Sequence, residues 1–425
     1  MNPSDRILIL APHPDDEVLG CAGIIQAAIR MHLPVHVVFL TYGDNNEISF
    51  FLYRKHPVLL PKAVRGMGEL RRAEAQVAAE ILGVPRDHLI FLGYPDWGTF
   101  PMWTSHWDES PPYKSMLTRV TAVPYADAFR PGAAYRAEEV VRDIQSILEK
   151  TLPTKVFVSH PADGHPDHRA LYLFTRVALW GLERRIVPVL YPYLVHYRGW
   201  PRWSKDRSTV LLVPPDSLPQ VQWQMFPLDP QEIGRKEEAL LAHRSQYKSG
   251  PKSLGTFVRP NELFGDLPTL SLSRSSAAGF SPDDSKGSKQ MPEELSEQER
   301  LSFVGVEWQS IRLDGEDLCL SFDFSKPLAK EVSASISVFG YRADRSFGEM
   351  PKLQVRLGVA RVTLWDRGRR LPVKMVEVIR ETNRITVRLP LEVLGYPQRI
   401  LTTAHTSLGQ IPLDWVSWRV IEIHP

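Results

Sequence analysis

Over the first 250 residues of this 425-residue chain, short apolar runs alternate with stretches whose apolar residues recur at helical spacing. Residues 7–10, 35–41, 89–92 and 155–159 read as strands, and residues 18–30, 69–82 and 137–150 as helices. Gly83 stands where a helix commonly ends in a left-handed residue. Such alternation predicts βαβ units, hence an α/β fold: a Rossmann-like, mostly parallel sheet with helices on both faces. Function in such a sheet gathers at the carboxyl ends of its strands.

Past residue 300 the period becomes two. Leu318, Leu320, Phe322 and Phe324 alternate with smaller or polar residues, as do Leu353, Val355 and Leu357, and Ile385, Val387 and Leu389. Residues 301–425 are therefore expected to form a C-terminal all-β, sandwich-like domain. Residues 267–300 are rich in Ser, Gly and charge and poor in large apolar residues, which predicts a flexible linker after a first domain of residues 1–266. Between Tyr94 and Ala137 lies a long segment carrying Trp97, Trp103, Trp107 and several prolines. It suits a substrate-covering loop and a packed surface insert equally well.

Composition removes several classes of function. Hydrophobic residues make up 43% and charged residues 24%, as in an ordinary soluble globular protein. Lys and Arg number 51 against 49 Asp and Glu, a net charge of +2 with no long basic run, so neither nucleic acid nor a membrane surface is an expected partner. Nor is there an uninterrupted apolar run of about eighteen residues to span a bilayer. Residues 1–6 lead into a strand without the pattern of a signal peptide, and Cys21 and Cys319 allow one bridge at most. Both observations favour the cytoplasm. The fingerprints G-x-G-x-x-G, G-x-S-x-G, G-x-x-x-x-G-K-[ST] and H-E-x-x-H are absent, which leaves nicotinamide, serine-hydrolase, P-loop and zincin chemistry without an anchor.

Two dense polar clusters remain. The stretch "ILILAPHPDDEVLG" ends a strand in His13, Asp15, Asp16 and Glu17, and "SHPADGHPDHRA" follows another with His160, Asp163, His165, Asp167 and His168. Buried charges cost several kcal/mol unless they are paired or hold a metal, so clusters this dense need a partner. Two strand ends on one edge of a parallel sheet bring them together. Two histidines and a carboxylate with an open position make a common catalytic zinc arrangement, and the same set suits ferrous iron. Such an ion makes hydroxide available at neutral pH and polarises a carbonyl. A carboxylate that does not ligate then takes the water proton, while a histidine opposite stabilises the oxyanion and protonates the leaving amine. Asp15 and Asp16, being adjacent, can divide the base and ligand duties.

"PHPDDE" followed much later by "HPDH" resembles the signature of the PIG-L/LmbE-like family of metal-dependent N-acetylglucosaminyl deacetylases. "RRAEAQVAAEILG", "KEEALLAHRSQY" and "FVRPNELF" are similar to further features of that family, so the resemblance spans roughly residues 6–265 and stops short of the C-terminal domain. It implies His13, Asp16 and His168 as metal ligands and Asp15 as general base. It further implies His165 as oxyanion-stabilising acid oriented by Asp167, Arg71 as a substrate-binding residue, and Glu17 as a brace for the loop. Pro12, between Ala11 and His13, departs from the motif without touching a ligand. Arg71 also fits an ordinary helix pair with Glu74. Asp163 and His160 fit either a supporting place behind the ligands or simply the turn before the helix, the turn being favoured, and His243 fits a pocket rim as well as a helix surface.

The activity so implied is zinc-dependent, or ferrous-dependent, removal of an acetyl group from an N-acetylated amino sugar or glycoconjugate, by a chain compatible with a homo-oligomer. Two alternatives stay open. One is an amidase acting on a thiol-sugar conjugate or another amide. The other is a binding protein with a vestigial metal site, whose C-terminal domain recognises a glycan or protein. Trp365, Trp415 and Trp418 offer aromatic faces for that role, although core packing accounts for them more simply.

Overall fold

The computed structural model describes residues 1–45, 60–108, 110–273, 295–409 and 411–424. Two compact units emerge: Met1–Pro215 with Gln222–Asp266, and Asp216–Val221 with Leu267–Pro425.

The first unit is built on a five-stranded, all-parallel sheet. Its elements begin with β1 (Ile7–Ala11), α1 (Asp16–Arg30), β2 (Val35–Thr41), α2 (Pro61–Ile81), β3 (Leu89–Tyr94) and α3 (Thr99–Ser105). They continue with α4 (Ala137–Thr151), β4 (Lys155–Ser159), α5 (Pro166–Leu182) and β5 (Val189–Tyr193). Strand order is β3-β2-β1-β4-β5. β1 is buried along its whole length, as a central parallel strand covered on both faces must be, which is why it reads as an unbroken apolar run.

From β1 the chain steps outward to β2 and β3, then returns to β4 on the other side of β1. Because crossovers of parallel strands are right-handed, that reversal sends α1 and α2 to one face and α4 and α5 to the other. The packing agrees: α1 and α2 both contact a later helix, α6 (Pro230–Ala242), while α4 and α5 contact each other and α3. The reversal leaves a crevice at the carboxyl ends of β1 and β4, the usual place for a ligand in such sheets. Two short helices, α7 (Arg244–Tyr247) and α8 (Pro251–Gly255), follow α6, and β6 (Gln224–Pro227) pairs antiparallel with β7 (Asn261–Phe264).

Two differences from the sequence reading have clear causes. α2 starts at Pro61 rather than near residue 69, because Gly66 and Gly68 blur the helical pattern. Gly68 is kept for a close approach: a Cβ there would lie 2.6 Å from Tyr125 Oη. The aromatic insert is mostly packed, with Trp103 and Trp107 buried and Trp103 edge-on to Phe174 of α5 at 5.3 Å. Trp97 is its exposed member, at 51%.

The second unit holds two sheets whose facing residues share one core. β9 (Val306–Asp314), β10 (Asp317–Phe324), β15 (Glu377–Arg380) and β16 (Arg384–Pro390) form a four-stranded antiparallel sheet ordered β15-β16-β10-β9. β11 (Val332–Tyr341), β12 (Lys352–Leu357), β13 (Val362–Asp366), β14 (Arg369–Leu371), β17 (Arg399–Leu408), β18 (Ile411–Trp415) and β19 (Arg419–His424) build the other, which β8 (Leu270–Ser273) extends by pairing parallel with β19. Leu318, Leu320 and Phe322 from one sheet and Leu353, Val355 and Leu357 from the other lie in the same buried cluster, the inward half of the period-two pattern.

Within the stretch expected to be linker, Leu270–Ser273 are thus a strand, and Glu297–Leu301 form α9, capped by Ser296 with Glu299. The remainder of that stretch, residues 274–294, lies outside the described residues. Trp418 is buried against Phe339, and Trp365 donates to Thr363 Oγ1 at 3.1 Å. Cys21 and Cys319 are both buried, free thiols. Among the described residues no helix is long and apolar enough to cross a membrane.

Candidate metal centre

β1 ends at Ala11, and Thr41 at the end of β2 clasps the next carbonyl, Pro12 O, with both its amide and its hydroxyl at 3.1 Å. The chain then turns through His13–Asp15 into α1. Asp15 caps the helix at φ 126°, a backbone region that a residue with a Cβ occupies only when its surroundings enforce it. Glu17 supplies part of that enforcement: one carboxylate oxygen accepts from Asp15 N at 2.9 Å, and the other lies 2.9 Å from His243 Nε2. His243 is therefore neither at a pocket rim nor on a surface but fully buried behind Glu17.

Across the crevice, the turn after β4 delivers His165 as the cap of α5 and His168 in its first turn. His13 Nδ1 and His168 Nε2 each lie 3.1 Å from Asp16 Oδ2, and 3.3 Å from one another. Donors about 2.0–2.1 Å from a tetrahedral zinc ion stand roughly 3.4 Å apart, so this triangle has the dimensions of one face of such a site. The far nitrogens match as well. His168 Nδ1 is 3.2 Å from Asp163 Oδ2, and His13 Nε2 is 3.1 Å from Asp96 Oδ1, the carboxylate–histidine pairing that orients metal-binding imidazoles. The donor set thus fits a divalent ion. Asp16, beside both imidazoles, is held well below the ordinary carboxylate range even though burial alone would raise it.

Asp15 does not join the triangle. Burial, opposed by Arg71, pushes its carboxyl up to about 7. Arg71 reaches it at 3.5 Å, but its guanidinium is spent mainly on two carbonyls, Gly43 O at 2.8 Å and Pro14 O at 2.7 Å. It is buried and does not pair with Glu74, whose carboxylate accepts from Ser245 N at 2.9 Å and Ser245 Oγ at 2.6 Å. Arg71 therefore ties the His13–Asp15 turn to the Gly43 turn, and Glu74 ties α2 to α7.

His165 Nδ1 accepts from Asp167 N at 3.2 Å, which leaves the imidazole proton on Nε2. Burial and the neighbouring histidines hold its pKa well below the ordinary value, so the ring is neutral. The expectation that the Asp167 carboxylate orients His165 does not hold. That carboxylate accepts instead from Trp97 N at 2.6 Å, from Thr99 N at 3.1 Å and from the Thr99 hydroxyl, and it also lies 3.4 Å from His13 Nε2. The bare amides at the start of α3 are better partners for a buried anion than an imidazole already engaged by a backbone N–H.

A cavity of about 640 Å³ opens onto these groups, lined by His13, Asp15, Arg71, Asp96, Trp97, His165, His196 and Gln246 among others. Two of its lining residues, Asp96 and His196, escaped the sequence reading. Asp163, for which the sequence favours a turn over a place behind the ligands, is fully buried and accepts from His165 N, Val195 N and His196 N as well as facing His168. Asp96 and Trp97 follow β3, and a single carboxylate after a strand end was the available signal. Trp97 sits at φ 59° with its ring 4.5 Å from that of His165. His196, after β5, stands 4.7 Å from His168, ring to ring, and nothing in its sequence neighbourhood marks it. His160 is structural: buried, its Nδ1 accepting from Ala162 N and its ring stacked on Trp223.

Fold and donor set together define a Rossmann-like α/β unit with a cluster of two histidines and one carboxylate, of the dimensions of a metal site, in its crevice. Residues 8–179 match the family described as PIG-L, GlcNAc-PI de-N-acetylase. Among curated relatives, a protein of Bacteroides thetaiotaomicron named as glucosamine-6-phosphate deaminase-like is 23% identical over 58% of this chain and 36% of its own length. A 1D-myo-inositol 2-acetamido-2-deoxy-alpha-D-glucopyranoside deacetylase of Corynebacterium urealyticum is 28% identical over 43% of this chain and 48% of its own. The chain thus spans less than half the length of these two relatives. Among solved structures, the N,N'-diacetylchitobiose deacetylase of Pyrococcus horikoshii is similar over 61% of this chain and 82% of its own, with a TM-score of 0.37 and 21% identity.

Proposed function

We propose that the N-terminal unit removes the N-acetyl group from an acetamido sugar carried in a glycoconjugate, with zinc or ferrous iron held by His13, Asp16 and His168. The observation that carries this reading is the donor triangle of 3.1, 3.1 and 3.3 Å, whose His13 shares the lining of one cavity with Asp15 and His165. The match of residues 8–179 to the family described as PIG-L, GlcNAc-PI de-N-acetylase supports it. An ion bound there would polarise the amide carbonyl and acidify the attacking water.

This chain's own groups supply the rest. Asp15, outside the triangle, takes the proton from the water. His165 donates its Nε2–H to the carbonyl oxygen as negative charge develops there. Because Nδ1 already accepts a backbone amide, that ring carries one proton and uses it for this bond. The proton reaching the departing nitrogen is then the one Asp15 collected, so a single carboxylate serves as base and then acid. Arg71 is a positioning residue, fixing the strained turn on which Asp15 stands.

Acetate release from N-acetylglucosaminides tests the reading. A chelator should abolish it and added zinc or ferrous iron restore it. Asp15→Ala should lose roughly 10²–10⁴ in kcat, the usual worth of a general base, while keeping metal affinity and circular dichroism. Retention of activity within twofold would refute the assignment.

A further inference from the structure

Trp97 stands where a large side chain is hardest to explain by folding alone. Its backbone sits at φ 59°, in the left-handed region that favours glycine. The turn does hold a glycine, but at the next position: Gly98 has an ordinary φ of −105°, and a Cβ there would lie 2.5 Å from Tyr113 Cε1. Gly98 N closes the turn on Pro95 O at 2.9 Å, and the Asp167 carboxylate grips Trp97 N at 2.6 Å and Thr99 N at 3.1 Å, which together hold the strained residue in place. Packing returns little for that strain, because the indole is 51% exposed. A strained backbone bearing an exposed aromatic ring, beside a reactive cluster, points to a use outside folding.

The cavity that Trp97 lines shows what the use is. Most of its wall is polar, with Asp15, Arg71, Asp96, Gln246 and Ser249 on it, while Trp97 and Leu254 are its large carbon surfaces. His165 stands against Trp97, ring centroids 4.5 Å and planes 64° apart, so indole and imidazole meet as two angled walls. A pyranose has matching surfaces: hydroxyls and an acetamide around its rim, which need donors and acceptors, and C–H groups on its faces, which need an apolar plane.

Resting on the deacetylase reading, we infer that Trp97 is a specificity-determining residue, its indole being the platform on which the C–H face of the sugar ring lies while the ring-borne acetamide meets His165. An acetamide on an open chain presents the same carbonyl to His165 but no flat face to Trp97. The platform therefore selects acetamides carried on a ring. A side chain that merely braced His165 would serve every amide alike, and that difference makes the two roles separable.

In the metal-loaded full chain, acetate release from methyl N-acetylglucosaminide is compared with release from N-acetylethanolamine, an acyclic acetamide. Trp97→Gly should raise KM for the glycoside about tenfold, equivalent to about 1.4 kcal/mol of lost binding, and leave its kcat and the kinetics of the acyclic amide within about twofold. Trp97→Phe, which keeps an aromatic plane, should recover most of the loss. Calorimetric binding of the glycoside to the chelator-stripped chain gives a readout independent of turnover and should rank wild type, Trp97→Phe and Trp97→Gly in that order. If the glycoside is bound in that order but never hydrolysed, the deacetylase reading falls and the platform stands. Equal losses on the ring-borne and the acyclic amide, unchanged glycoside affinity in Trp97→Gly, or no glycoside binding by the wild-type chain would each overturn the platform.

Discussion

Replacing Asp163 with Asn isolates a group whose importance only the folded chain reveals. Its carboxylate is fully buried and faces four donors: His165 N at 2.8 Å on one oxygen, and Val195 N at 3.1 Å, His196 N at 3.0 Å and His168 Nδ1 at 3.2 Å on the other. An amide has one accepting oxygen. Its lowest-cost orientation keeps that oxygen among the three donors and turns the NH₂ toward His165 N, where two donors then meet. One buried unpaired N–H costs about 1–3 kcal/mol, and the three retained bonds lose their charge assistance, for a total of about 2–4 kcal/mol of stability.

The same change loosens the restraint on His168. Removing the charged partner of a ligating imidazole lowers metal affinity roughly 10–100-fold, equivalent to about 1.4–2.7 kcal/mol of the stabilisation that bound metal confers. Zinc titrated calorimetrically into chelator-stripped protein reads the affinity, and thermal melting with and without zinc reads the stability. Asp163→Asn should fall in both, with a smaller zinc-induced rise in melting temperature than the wild type. Zinc affinity within twofold of the wild type, together with an unchanged melting temperature, would refute the reasoning and return Asp163 to the role of a turn residue.

Two further substitutions probe the backbone that carries the site. Gly43 has φ +65°, and a Cβ there would sit 2.1 Å from Arg71 Nη1, so Gly43→Ala combines a left-handed strain of about 1–2 kcal/mol with loss of the guanidinium's two carbonyl bonds. It should destabilise by about 3 kcal/mol or more in urea unfolding of the N-terminal transition; a loss below about 1 kcal/mol would show that Arg71 relocates freely. Trp97→Gly should leave the melting temperature unchanged or raise it, because glycine adopts φ 59° without strain and the exposed ring buries little. A fall of several degrees would mean that Trp97 is held for packing.

How much of this was legible in the sequence depended on whether a signal was local. β1 and β4 lie at the centre of the sheet, buried on both faces, so each is a run of apolar residues that any short window detects. The period-two strands of the second unit are legible for the same reason. β5, an edge strand containing Pro192 and exposed Val189, has no such run, and the four-residue β6 and β7 are shorter than a pattern needs to be recognised. The site divides along the same line. His13, Asp15 and Asp16 crowd one turn and His165, Asp167 and His168 another, and density alone marked both turns. Asp96 with Trp97 and His196 alone come from the turns after β3 and β5, at the two edges of the sheet. Their meeting with His13 and His168 follows from strand order, which is set by pairing between segments some 30 to 150 residues apart and is contained in no window of the sequence. Asp163 stayed undecided between a turn and a support for a different reason: a carboxylate that accepts from its own turn's amides is what any turn aspartate does, and its second oxygen's approach to His168 becomes visible only once α5 has wound that imidazole back over the turn.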